Sequence, residues 1–156
     1  MGLTAEEWAA HARWVLRMAD FPQDPDVWRL AWAAMCEGKI EVELAEEPKS
    51  FTWALPGERA LIVISTRQSE EQMTADLLEE LGHCFLSGMR LGGMLGPKFE
   101  IREDQCNESE VRRFVLAWKL PWEVIMTQGF EDEAAILARS GCTPEELRLR
   151  LENYHR

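Results

Sequence analysis

The sequence predicts an α+β fold, mainly helical, with a small three-stranded antiparallel sheet and a C-terminal helical hairpin. Three observations carry this. Apolar residues recur at helical spacing near the N-terminus, the period switches to strict alternation from Ile40, and capped helical segments return from Ser69 onward. Strands and helices thus fall in separate runs, as in α+β domains. At 156 residues the chain is expected to form a single domain over 1–156, with N-terminal helices in 1–38, sheet and site helices in 39–121 and C-terminal helices in 122–156.

The elements follow in order. Thr4-Ala5-Glu6-Glu7 reads as a capping box opening a helix that carries Trp8, Ala12, Val15, Leu16 and Ala19. Phe21-Pro22-Gln23-Asp24-Pro25 breaks it, and Pro25 suits the first turn of a second helix closed by Gly38. Ile40-Glu41-Val42-Glu43-Leu44 alternates as a half-buried strand does. Phe51–Leu55 and Ala60–Ile64 flank Pro56-Gly57-Glu58-Arg59, a hairpin turn. Ser69-Glu70-Glu71-Gln72 is a second capping box, with its helix running to about Gly88 or Arg90. Gly92, Gly93 and Gly96-Pro97 make a loop, and Asn107 opens a helix that lasts to the Pro121 break. Two more helices are expected around Glu131–Arg139, ended by Gly141, and Pro144–Tyr154, capped by Thr143.

Composition narrows the function. Hydrophobic residues make up 46% of the chain and seven tryptophans are present, enough for a packed core. The formal net charge of −11 repels phosphate backbones and argues against nucleic acid as a partner. Four dispersed cysteines, Cys36, Cys84, Cys106 and Cys142, read as reduced thiols of a cytoplasmic protein. The N-terminus has neither a signal-peptide pattern nor the Ser or Thr at position 6 that myristoylation needs. With no apolar run near the ~18–20 residues of a membrane span, no membrane partner is expected.

The residues with chemistry cluster at Glu79-Glu80-Leu81-Gly82-His83. Residues four apart share a helix face, so Glu79 and His83 can hold one metal ion, with Glu80 beside them. In the zincin pattern His-Glu-x-x-His, two histidines bind zinc and the intervening glutamate activates a water. Here Glu79 stands where the first histidine belongs.

Four segments carry a wider resemblance. Leu77–His83 resembles the AHELGH helix of the ImmA/IrrE family of metallopeptidases, glycine included. Glu108–Val115 resembles its ExEANxFA segment, Leu116–Pro121 the LLMP that follows, and Leu137–Leu151 the tail LAxxxGVSxEALRxRL. The likeness spans roughly residues 38–153. It implies a zincin-like domain with Glu80 as general base and Glu79, His83 and Glu108 as metal ligands. It further implies a divalent metal, zinc first and manganese second, or none. The implied partner or substrate is a protein, commonly a transcriptional repressor of a mobile element or stress response.

Two positions depart from the family, Glu79 for histidine and Arg112 for asparagine. With two carboxylates and one imidazole a divalent ion is neutralised, so its Lewis acidity falls and harder metals gain. Weak or absent catalysis with binding of a regulator is therefore expected first, and an active repressor-cleaving peptidase second. Without metal, the carboxylates of Glu79, Glu80 and Glu108 need a proton or an inward-turned Arg112 or Arg113.

Other readings stay open at this point. Glu79 and Glu80 fit a solvated helix face, and Glu108 fits a first-turn acid as well as a ligand. His83 fits a hydrogen-bonded core histidine, while His11 or His155 is the alternative source of an imidazole. Cys84 and Cys106 read as packing. Glu80-x-x-His83 with Glu152-x-x-His155 imitates a di-iron pair. The tail imitates a DNA-binding helix-turn-helix, although Arg139, Arg148, Arg150 and Arg156 are expected to interleave with Glu145, Glu146 and Glu152 on a solvated surface.

Overall fold

The computed structural model describes residues 3–57, 59–87, 108–128 and 132–154. Helix α1 spans Ala5–Val15, and Thr4 and Glu7 close the expected capping box. It stops four residues short of Ala19. Arg17 takes a φ of 55°, its N–H donating to the Trp14 carbonyl while that of Met18 donates to Arg13. This is a Schellman stop with arginine in the usual glycine position. Helix α2 spans Asp24–Cys36, with Pro25 in its first turn and Gly38 behind it at a φ of +81°.

The sheet is mixed, not antiparallel. Strands β1 (Ile40–Ala45), β2 (Phe51–Leu55) and β3 (Arg59–Ser65) lie in the order β1-β3-β2. The β2–β3 hairpin turns where expected, with Gly57 at a φ of +78°. Strand β1, however, pairs parallel to β3, Ile40 opposite Ala60 and Ala45 opposite Ser65. The reason lies in β3, whose Ala60, Ile62 and Ile64 are fully buried. A continuously apolar strand belongs in the middle of a sheet, and with β2 on one edge, β1 must fill the other. The β1–β2 link passes over the end of β3, where Ser65 Oγ donates to the Glu47 carbonyl and Ser50 Oγ accepts from the Ser65 N–H.

Helix α3 spans Glu70–Leu86. Ser69 caps it, but the reciprocal half of the box is absent because the Gln72 amide donates to Asp76 instead. Asp76 also accepts from Ser50 and Gln68, which pins α3 to the sheet loop. Gly88, Arg90, the Gly92–Pro97 loop, Cys106 and Asn107 lie outside the described residues.

Helix α4 spans Glu108–Lys119. Helix α5 spans Trp122–Gln128, where the sequence predicts only a break at Pro121. The Pro121 carbonyl accepts from the Val124 and Ile125 N–H groups, and proline starts helices as readily as it ends them. Helices α6 (Glu133–Ser140) and α7 (Pro144–Tyr154) follow as expected, joined at Gly141, whose φ is +70°.

Two apolar clusters result. The larger joins α1, α2, the sheet, α3 and α4. The smaller gathers Phe21 with Leu120, Val124, Ile125, Ile136 and Leu147. Two buried arginines bind α1 to the C-terminal helices. Arg150 donates to the Leu120 carbonyl, lies over the Trp122 ring and pairs with Glu6. Arg13 donates to Glu123 and to the Asp20 carbonyl. The expectation that Arg150 belongs to a solvated surface is therefore wrong: its long apolar stem and single charge are buried because Glu6 meets it from α1. Arg139 likewise turns to Asp20, and only Arg148 sits between Glu145 and Glu152 as expected, Arg156 lying outside the described residues.

Candidate metal centre

The site is assembled by two helices at close approach. On α3, Gly82 faces α4, and a Cβ there would lie 2.9 Å from Phe114 Cδ1 and 3.3 Å from Val111 Cγ1. The missing side chain lets α4 seat against α3. Phe114 is fully buried and meets Phe85 edge-on at 5.8 Å, which in turn stacks on Trp8 of α1 at 4.8 Å. The first residue of α4, Glu108, is thereby brought to His83, with Oε2 3.8 Å from Nε2.

Donor atoms of Glu79, His83 and Glu108 all lie within 4.8 Å of one another. This is the ligand set expected from the sequence. The Glu79–His83 pair follows from helical spacing, and Glu108 arrives across the helix contact. Donors each 2.0–2.2 Å from one zinc sit at most about 4.4 Å apart, so small side-chain rotations close the cluster on a divalent ion. One imidazole nitrogen and two carboxylates suit zinc or manganese chemically.

The electrostatics favour a cation as well. Partial burial pushes the Glu79 carboxyl above its usual range, and the carboxylates of Glu108 and Glu80 push it further, against the pull of His83. His83 Nδ1 is buried and has no hydrogen-bond partner among the described residues. The reading of His83 as a core histidine satisfied by hydrogen bonds is therefore not what the structure shows.

Glu80 stands apart from the trio. One of its carboxylate oxygens accepts the hydroxyl of buried Thr52 on β2, which sits opposite Ile62 of β3. Nothing in the sequence singled out Thr52, although its place in Phe51-Thr52-Trp53 puts it on the buried face of an alternating strand.

The alternative of Arg112 or Arg113 turning inward as counter-charge is not seen among the described residues. Arg113 pairs with Glu110 at 3.5 Å, and Arg112 is exposed. Both point away from a helix face already filled by Val111 and Phe114. His11 packs with Trp8 and Trp14 on α1 and does not join the trio, while His155 lies outside the described residues. Cys84 is wholly buried in the larger core, as packing requires. No described helix is long and apolar enough to cross a membrane. No protein-family model matches the chain, and neither a curated protein nor a solved structure gives a significant match.

Proposed function

We propose that this chain is a metallopeptidase-like protein of the ImmA/IrrE type that holds a divalent metal at a degenerate Glu-Glu-x-x-His site, has weak or absent catalysis, and acts by binding a transcriptional regulator. The observation that carries the reading is the convergence of Glu79, His83 and Glu108 from two helices whose contact depends on Gly82. A bound divalent ion would supply Lewis acidity toward a peptide carbonyl, weakened by two carboxylate ligands. Zinc is the first candidate and manganese the second.

The protein's own groups favour binding over turnover. Glu80, the residue in the general-base position, already spends a carboxylate oxygen on Thr52, which leaves it less free to take a proton. An extended peptide is better received by β2 than by β3. Strand β3 has β1 and β2 on its two edges, whereas β2 pairs only with β3 among the described strands.

Elemental analysis after purification without chelators or a metal-affinity tag, followed by zinc and manganese titration, tests the proposal. Stoichiometric metal and a raised Tm are expected, with no cleavage of a regulator. If neither metal binds or raises the Tm, the reading is wrong. Cleavage by the zinc-loaded protein that disappears in Glu80→Gln would establish the alternative of an active peptidase. Glu79→His is expected to tighten zinc binding.

A further inference from the structure

A groove lies at the other end of α3 from the candidate metal centre, bounded by the first turns of α2 and α3 and the end of β1, with a volume of about 660 Å³. Glu70, on its wall, is nine residues along α3 from Glu79, about 13.5 Å at helical rise. Its apolar wall is Pro25, Trp28, Leu44 and Met73, and Asp24, Glu70 and Glu71, all exposed, stand beside them. We infer that this groove docks a segment of a partner protein in which bulky apolar side chains stand between lysines or arginines.

The apolar wall begins in the core and runs out of it. Along β1, Ile40, Val42 and Leu44 point to one face of the sheet. Ile40 belongs to the larger core, Val42 packs against it, and Leu44 does neither, being 52% exposed. Trp28 is fixed by its Nε1, which donates to Thr74 Oγ1 at 2.9 Å, so its polar atom is satisfied and the rest of the indole serves as apolar wall. Met73 adds a flexible side chain that adapts to the shape of a guest. The volume lies inside the range of roughly 300–1,000 Å³ that receives drug-sized guests, which is room for bulky side chains.

Charge selects the occupant. None of Asp24, Glu70 and Glu71 pairs with a basic side chain among the described residues, and no lysine or arginine among them lines the groove. The N-termini of α2 and α3 together offset roughly one unit of negative charge, which leaves three carboxylates in excess. An adjoining cavity shares Asp24, Glu71 and Thr74, and its basic side chain, Lys119, is held by Glu146 at 2.9 Å. A cationic flank on the guest therefore meets unpaired carboxylates. An acidic guest is repelled, as is a second copy of this chain with its net charge of −11. Exposed charge pairs add little energy each, so apolar contact supplies most of the affinity and the charges supply the selection. The inference goes beyond the metal-centre reading and uses none of its residues.

Titration calorimetry of the full chain at low salt with end-blocked peptides tests this. The probe carries Leu-Phe between two pairs of lysines; one analogue has glutamates for the lysines, the other serines for Leu-Phe. The probe is expected to saturate below about 1 mM and to bind at least about tenfold tighter than either analogue, with an affinity that falls as salt is added. Leu44→Lys, at a half-exposed position, should weaken the probe at least about tenfold. Glu70→Gln combined with Glu71→Gln should weaken it about threefold, while Glu133→Gln, outside the groove, should leave it unchanged. The glutamine pair keeps the Ser69 cap and every apolar contact, so it decides the matter if Leu44→Lys does not fold. Failure of the probe to saturate, equal binding of an analogue, or undiminished binding in either groove variant overturns the inference. So does phenethylamine binding as tightly as the probe, which would assign the groove to a small amine, or self-association that Leu44→Lys abolishes, which would assign it to a second copy.

Discussion

Replacing Gly82 with alanine is the most informative single perturbation of the candidate metal centre. The new methyl would sit 2.9 Å from Phe114 Cδ1, about 0.6 Å inside ordinary carbon–carbon contact. Phe114 is fully buried with Phe85 against it, so the ring has no open space to swing into. Overpacking of this kind costs ~1–3 kcal/mol, while alanine in place of glycine returns ~1 kcal/mol of helix propensity. The net expectation is a loss of ~1 kcal/mol in urea unfolding of the metal-free protein. The functional consequence should be larger, because Glu108 and Val111 lie one turn apart on the helix that is pushed away. Metal ligands tolerate only ~0.2 Å of error, so zinc affinity by calorimetry should fall at least about tenfold. Phe114→Leu introduced beside Gly82→Ala makes room and should restore part of both. If Gly82→Ala instead gains the full ~1 kcal/mol of propensity and binds zinc unchanged, the close helix contact is not what builds the site.

Further outcomes follow from the same geometry. Glu79→Gln removes one of three neighbouring carboxylate charges and should raise the Tm of chelator-treated protein at low salt, an effect that fades as salt is added. Glu6 is a half-exposed residue on α1, yet Glu6→Ala strips the partner from buried Arg150. It should cost ~2–4 kcal/mol in urea unfolding, against ~0.5 for an ordinary surface change. Burial raises the Glu146 carboxyl, but the Thr143 N–H and Lys119 more than offset this and hold it below its ordinary range. Its contribution is therefore present above the unfolded-state value and is lost as pH falls through the folded-state one. Glu146→Gln, which keeps the cap, should be less stable than wild type at neutral pH, and the gap should close on acidification into the carboxylate range.

The sequence by itself determined the local features. Capping at Thr4, Ser69 and Thr143, the hairpin at Pro56-Gly57 and the helix stops at Gly38 and Gly141 all depend on residues within a few positions of one another. The pairing of Glu79 with His83 is of this kind, since one helical turn suffices to place both on a face. What only the tertiary structure decided is everything that joins distant segments. The parallel pairing of β1 follows from β3 needing cover on both edges, a demand that the alternation in 40–44 does not express. Helix α5 forms because Val124 and Ile125 find the second core, where local propensity alone reads a proline break. Arg13 and Arg150 look like surface charges until Glu123 and Glu6 arrive from remote segments to cover and pair with them. Likewise Gly82 seems one glycine in a helix until α4 packs on it, and that contact is what brings Glu108 beside His83. Side-chain type and spacing set which residues can act, while burial and close helix approach decide which of them meet.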